Sequence, residues 1–191
     1  MEELEELREQ IKGWVVPGFQ RRDEVVEAAI EYAEDDGVLT AEQVTQLVDE
    51  VWEQRLQKQR TWVEVTDADR FAAAFAELDA AGVVARMNFT CCQGCGSTEI
   101  FDERPADRQS KGYVFFHQQD AEGLADTPAA LYLAYGPFDA VESTWESRVV
   151  EVGHQIVAGL RAHDLPVTWS GSSAQRIQVG PLTWQRRLPE R

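Results

Sequence analysis

The hydrophobic pattern of the chain changes from a helical period to an alternating one near Gly82, and this change limits the fold. Before Gly82, apolar residues recur every three or four positions, as they do along one face of an α-helix. From Val83 onward, apolar and polar residues alternate, which is typical of a β-strand with one buried face. Because helices come first and strands follow, we expect the α+β class rather than helices and strands in regular alternation.

Four helices are predicted before the change, each from an apolar stripe with helical spacing. The stripes cover residues 4–15, 25–33, 44–52 and 71–78. The third helix has the clearest start, because Thr40 followed by Gln43 forms a capping-box pattern. The run Asp35-Asp36-Gly37 is expected to end the second helix before the third begins.

Three strands, a long helix and a closing hairpin are predicted after the change. The strands cover residues 83–92, 113–119 and 131–135, the helix covers 141–162, and the hairpin pairs 167–169 with 176–179. These elements predict a mostly antiparallel sheet in the order β-β-β-α-β-β, with the long helix packed on it and an N-terminal helical layer before it. Two domain arrangements fit: a helical region 1–62 followed by an α+β domain 63–191 that carries the cysteines, or one continuous domain.

The charge of the chain argues against several classes of partner. Its 18 basic and 34 acidic residues give a formal net charge of −16, which repels phosphate backbones, so we expect no nucleic-acid partner. No apolar stretch is long enough to span a bilayer, and the acidic start of the chain lacks the basic and apolar regions of a signal peptide. We therefore expect no membrane partner and a cytoplasmic location, where thiols stay reduced.

All three cysteines lie within five positions, in the run Cys91-Cys92-Gln93-Gly94-Cys95. Cys92 and Cys95 have the spacing of a zinc knuckle, in which glycines let backbone amides turn toward two thiolates. His117, at the end of the second strand, is the best third ligand in the sequence. Cys91 or Asp120 would supply the fourth, although strand alternation places Cys91 on the apolar face. The cofactor predicted for such a site is zinc, and if the residues do not bind a metal no other cofactor is predicted.

Two other interpretations of the same residues remain open. Cys92 or Cys95 could act as a reactive thiolate at the start of a helix, with redox or covalent chemistry. Alternatively, the three thiols only pack. Independently of what the thiols do, four polar residues near the cluster are predicted to line a binding site: Asn88, Thr90, Gln119 and Asp120.

Several strings in the second half of the chain resemble a family of uncharacterised bacterial proteins that is common in actinobacteria. They are FTCCQGCG at 89–96, GYVFFHQQD at 112–120 and LYLAYG at 131–136, with Trp169, Gly171 and Arg176-Ile177 near the end. The family is a domain of unknown function, so the resemblance implies no catalytic residues. It implies a bacterial cytosolic origin and a common site formed by Cys92, Cys95 and His117.

These observations leave three functional hypotheses. The first is a non-enzymatic binding or regulatory module with a Cys-x-x-Cys/His site that holds zinc, and with an unknown protein or small-molecule partner. The second is a thiol-dependent enzyme or redox sensor that uses Cys92 and Cys95. The third is an acidic partner protein of the immunity or antitoxin type. The sequence has no Walker loop, His-Glu-x-x-His or Gly-x-Ser-x-Gly motif, so it does not decide whether the protein is an enzyme.

Overall fold

The computed structural model describes residues 2–34, 39–126 and 128–190, without the side chains of Glu2, Glu3 and Glu34. Helices lead and the sheet follows, so the predicted α+β class is confirmed. The predicted break at 35–37 lies outside the described residues. None of the helices that the described residues form is both long enough and apolar enough to cross a membrane. The contacts of the chain group it into two compact units, Met1–Thr66 with Gln185–Arg191, and Asp67–Trp184.

The first unit is helical. It contains α1 (Glu2–Val15), α2 (Arg22–Glu34) and α3 (Ala41–Gln59). The predicted capping box at the start of α3 is confirmed, since the N–H of Gln43 donates to Thr40 Oγ1 and the N–H of Thr40 donates to Gln43 Oε1. The core residues share the helical spacing of the sequence pattern and include Leu7, Ile11, Val15, Val25, Ala29, Val44, Leu47, Val48, Val51 and Trp52.

The C-terminal segment completes the core of this helical unit. Leu188 packs into it, and the N–H of Leu188 donates to Gln59 Oε1 at 2.9 Å. A sequence pattern cannot show that the last residues of the chain return to its first helices. A division of the chain into domains 1–62 and 63–191 stays a prediction.

The second unit holds the sheet, whose strand order is β1-β2-β3-β5-β4. The strands are β1 (Val83–Arg86), β2 (Gly112–Phe115), β3 (Ala129–Pro137), β4 (Val167–Thr168) and β5 (Ile177–Leu182). β1 and β2 are parallel and every other pair is antiparallel, which confirms the mostly antiparallel sheet. The remaining helices are α4 (Asp67–Ala80), α5 (Gln93–Glu99), α6 (Gln118–Glu122) and α7 (Trp145–Ala162), with short 3₁₀ turns at Gly123–Ala125 and Glu142–Thr144. As predicted, the long helix α7 packs on the sheet, where it contacts β3.

The first strand is shorter than the sequence pattern predicts. The alternation suggests a strand over 83–92, but β1 ends at Arg86 and the prediction for 87–92 is wrong. The reason is the backbone of Asn88 and Thr90, whose φ angles of 52° and 57° lie in the left-handed region that a strand cannot contain. The face assigned to Cys91 by alternation is therefore also wrong, and its side chain is exposed rather than buried.

Candidate metal site

The cysteine segment runs alongside the end of β2. The N–H of Phe89 donates to the carbonyl of Phe116 at 2.9 Å, and the N–H of Gln118 donates to the carbonyl of Thr90 at 3.1 Å. These two bonds hold the chain on the N-terminal side of the thiols. The Phe89 ring adds an edge-on contact with Phe115, at 5.8 Å between ring centroids.

Helix α5 holds the segment on its other side. Gly96 lies in this helix and faces Phe115 so closely that a β-carbon on it would be 2.4 Å from Phe115 Cε2. Only glycine allows this approach without displacing a fully buried ring. The glycine after the Cys-x-x-Cys pair therefore seats α5 against the sheet and fixes the position of Cys95.

Thr90 has a backbone conformation that is unusual for its residue type. A β-branched residue at a φ of 57° is strained, at a cost of roughly 1–3 kcal/mol. Its hydroxyl donates to the carbonyl of Cys92 at 3.2 Å, which helps to hold this turn. Strained backbone of this kind is concentrated at functional sites, and here it lies immediately before the thiols.

The structure brings all three thiols together. The Sγ atoms of Cys91 and Cys95 are 3.5 Å apart, and the three Sγ atoms all lie within 4.8 Å of one another. Cys91 is exposed, and Cys92 and Cys95 are partly exposed. Across residues 2–34, 39–126 and 128–190, this is the group of cysteine, histidine and carboxylate side chains placed to bind a metal ion together.

The surroundings of the sulfurs give Cys92 and Cys95 different pKa values. The pKa of Cys92 is lowered, first by a hydrogen bond from the backbone N–H of Cys95 and then by the thiols of Cys95 and Cys91 and the N–H of Gly94. The pKa of Cys95 is raised to about 11, because its hydrogen bonds with the thiols of Cys91 and Cys92, and then the charges of those two neighbours, oppose its ionisation. Cys92 therefore ionises at a lower pH than Cys95 does.

The other predicted ligand, His117, interacts with Asp120 through both of its ring nitrogens. His117 is the N-cap of α6, where its Nδ1 accepts the N–H of Asp120 at 3.2 Å and its own N–H donates to Asp120 Oδ2 at 3.3 Å. The remaining ring nitrogen, Nε2, lies 3.0 Å from the same carboxylate oxygen. Because Nδ1 accepts a hydrogen bond, the neutral ring carries its proton on Nε2. Burial lowers the pKa of His117, Arg176 lowers it further, and Asp120 opposes the shift.

Arg176, which the sequence analysis did not predict as a site residue, completes this second cluster. Its two terminal nitrogens donate to the two carboxylate oxygens of Asp120 at 3.0 and 2.5 Å, across 56 positions of sequence. It also donates to the carbonyl of Tyr132. The one signal in the sequence was its place in a string shared with the resembling family.

The predicted site residues therefore fall into two groups. The thiols of Cys91, Cys92 and Cys95 form one, and His117 and Asp120 form the other together with Arg176. Asn88 and Thr90 shape the backbone before the thiols, and Gln119 is exposed on α6. A four-ligand site that includes His117 stays a prediction, because its nitrogens would have to leave Asp120 to bind a metal.

A comparison with protein families identifies one match for this chain. The family model DUF6891, described as a domain of unknown function, matches residues 1–188. The match includes the helical unit as well as the strings noted in the sequence, which all lie after residue 88. No curated protein and no solved structure matches the chain.

Proposed function

Because the chain belongs to the DUF6891 family, whose function is unknown, we propose a function from the thiol cluster: the protein is a non-enzymatic binding or regulatory module that holds zinc. Cys91, Cys92 and Cys95 are its ligands in this proposal. The protein would work in a bacterial cytoplasm, where thiols are reduced and free to bind metal.

The observation that carries the proposal is the spacing of the sulfurs. A tetrahedral zinc ion with Zn–S bonds of about 2.3 Å requires its sulfurs to be roughly 3.8 Å apart. The Cys91 and Cys95 sulfurs lie 3.5 Å apart, and no pair in the cluster exceeds 4.8 Å. These separations bracket the sulfur–sulfur distance that a tetrahedral zinc ion needs.

The electrostatics of the cluster favour a cation. Without one, the pKa of Cys95 is raised to about 11, first by its hydrogen bonds with the thiols of Cys91 and Cys92 and then by the charges of those two neighbours. A divalent cation among the sulfurs reverses this effect, because each thiolate then faces a positive charge. The backbone N–H groups of Cys95 and Gly94 already point at Cys92, as they do in zinc knuckles.

The test is zinc content together with a free-thiol count, on untagged protein purified without chelators. We expect about one zinc per chain with the three thiols shielded from thiol reagents. Cys95→Ser should lose the zinc. The matched control is Ser97→Ala, an exposed change on the same helix, which should keep it. Three free thiols and no metal in the parent protein would rule the proposal out.

A second measurement decides whether His117 is a ligand. His117→Asn keeps a side-chain acceptor at the N-cap of α6 and removes the imidazole. If the thiols are the ligands, the variant retains about one zinc per chain. Loss of zinc from a variant with unchanged circular dichroism would instead assign His117 to the metal.

A second function is favoured by the same short distance. With Cys91 and Cys95 sulfurs 3.5 Å apart, the metal-free protein is suited to sense a peroxide. A thiolate attacks the peroxide to form a sulfenic acid and release water or an alcohol. A second thiol then displaces water from the sulfenic acid and closes a disulfide, so two thiols are oxidised and the peroxide is reduced.

The redox function makes a distinct prediction about reactivity. Hydrogen peroxide should lower the mass of the metal-free protein by two hydrogens, and iodoacetamide should react with one thiol well below pH 8. A cysteine of ordinary acidity, with a pKa of about 8.5, would label slowly at that pH. Slow and uniform labelling of all three thiols would argue against a redox role.

A further inference from the structure

We infer that the metal held by the thiol cluster keeps its fourth coordination position for a small-molecule thiol, which binds there as a thiolate. This inference rests on the proposed zinc site and names the class of ligand that the site would take. It makes the cluster a thiol-binding centre rather than a closed structural site.

The inference is supported by the number of ligands in the cluster, which is three rather than four. A closed structural zinc site has four protein ligands, whereas sites that bind an exchangeable molecule have three. The mutually close donor group here contains three sulfurs, and within the described part of the chain it has no histidine or carboxylate as a fourth member. His117 does not fill the gap, since Asp120 engages both of its ring nitrogens.

The open position is also accessible. Cys91 is exposed, and the neighbouring residues Gln93 and Gly94 are exposed as well. A β-carbon at Gly94 would meet only the sulfur of Cys92, at 3.9 Å. A metal held by these exposed and partly exposed sulfurs would therefore lie at the surface, where a small thiol can approach it.

The net charge of the protein disfavours ligands that arrive as anions. At a formal net charge of −16, carboxylates and phosphates are repelled from the surface. A thiol approaches as a neutral molecule and becomes anionic only on the metal, which lowers the pKa of a bound thiol far enough to remove its proton. Binding would form a sulfur–metal bond, displace solvent from the open position and release the thiol proton to solvent, with no change in oxidation state.

The experiment uses the full chain loaded with Co²⁺, whose absorption reports the number of bound thiolates. The probe is 2-mercaptoethanol at millimolar concentration, and ethylene glycol, which replaces the thiol with a hydroxyl, is the control. We expect 2-mercaptoethanol to raise the sulfur-to-cobalt charge-transfer band by about one third, as three thiolates become four, and ethylene glycol to leave it unchanged. Cobalt content after gel filtration should stay constant.

The outcomes separate this inference from the proposed function. If Co²⁺ gives no charge-transfer band, the metal site itself fails, and this inference fails with it. If the band is present but 2-mercaptoethanol leaves it unchanged or strips the cobalt, the metal site stands and the thiol inference is overturned. A response seen in His117→Asn but not in the parent protein would also overturn it, because His117 would then occupy the fourth position.

Discussion

Gly96 packs directly against the ring of Phe115, so α5 can lie this close to the sheet only because residue 96 has no β-carbon. Phe115 is the last residue of β2 and is fully buried. The ring cannot withdraw without disturbing the residues that surround it, which include Val84, Ile100 and Tyr113. This contact connects the stability of the unit to the position of the thiols.

Gly96→Ala should therefore destabilise the protein. The added carbon would lie 2.4 Å from Phe115 Cε2, and overpacking of this kind costs about 1–3 kcal/mol. The matched control is Gly94→Ala in the same helix, where the new carbon meets only Cys92 Sγ at 3.9 Å and helix propensity improves. Urea unfolding of both variants measures the difference. Equal stabilities would contradict the close packing of α5 on Phe115.

Arg176→Ala should destabilise the second cluster more than an ordinary loss of a surface ion pair. The substitution removes the positive charge that pairs with the Asp120 carboxylate, which is only 12% exposed. We expect the free energy of unfolding to fall by about 2–4 kcal/mol. Arg148→Ala is the matched control, because Arg148 and Glu151 are both about half exposed and such pairs contribute about 0–1 kcal/mol. Chemical denaturation compares the two. A loss below about 1 kcal/mol for Arg176→Ala would show that the Asp120 pair stabilises the protein no more than an exposed ion pair does.

His117 should make the protein less stable as the solution is acidified. Burial is the largest cause of its lowered pKa, so the unfolded chain binds a proton at a higher pH than the folded protein does. Stability is then fully present above the unfolded pKa of about 6.5 and is lost as the pH falls below it. Measuring the free energy of unfolding at pH 7.5 and at pH 5.5 gives the loss of stability on acidification. This loss should be smaller in His117→Asn, and an identical loss in the variant would assign the pH dependence to other groups.

Cys92 and Cys95 of the metal-free protein should react with an alkylating reagent in a fixed order. Cys92 should be alkylated before Cys95 at pH 7, because its pKa is lowered by the backbone N–H of Cys95 and by the neighbouring thiols. Cys95 should be alkylated more slowly, since its pKa is raised to about 11. Peptide mass spectrometry after brief treatment with iodoacetamide gives the order. In urea the preference should disappear, and its persistence there would show that the local sequence causes it rather than the folded cluster.

Local signals in the sequence were enough to predict much of the fold. The helices of the first unit follow from apolar stripes, and the start of α3 follows from Thr40 and Gln43, because helix periodicity and capping involve residues only three or four positions apart. The closeness of Cys92 and Cys95 follows for the same reason. The class of the fold and the long helix on the sheet were likewise predicted and confirmed.

The end of β1 shows where local signals fail. The alternation of residues 87–92 fits a strand, but two left-handed residues redirect the chain toward α5. This conformation is unfavourable for Thr90 taken alone. It persists because hydrogen bonds to Phe116 and from Gln118, together with the contact between Gly96 and Phe115, hold the segment from outside.

The sequence by itself thus determined the helices of the first unit, the class of the fold and that two cysteines lie at the spacing of a metal knuckle, but not where the first two strands end. Tertiary structure alone decided that Cys91 lies at the surface beside them, because bonds to and from the end of β2 hold its turn, and that Arg176 pairs with Asp120 across 56 positions. The physical reason is the distance along the sequence over which each interaction acts. Periodicity and spacing act within a few residues, whereas the partner of a buried charge or an exposed thiol depends on which distant segment the packed sheet brings beside it.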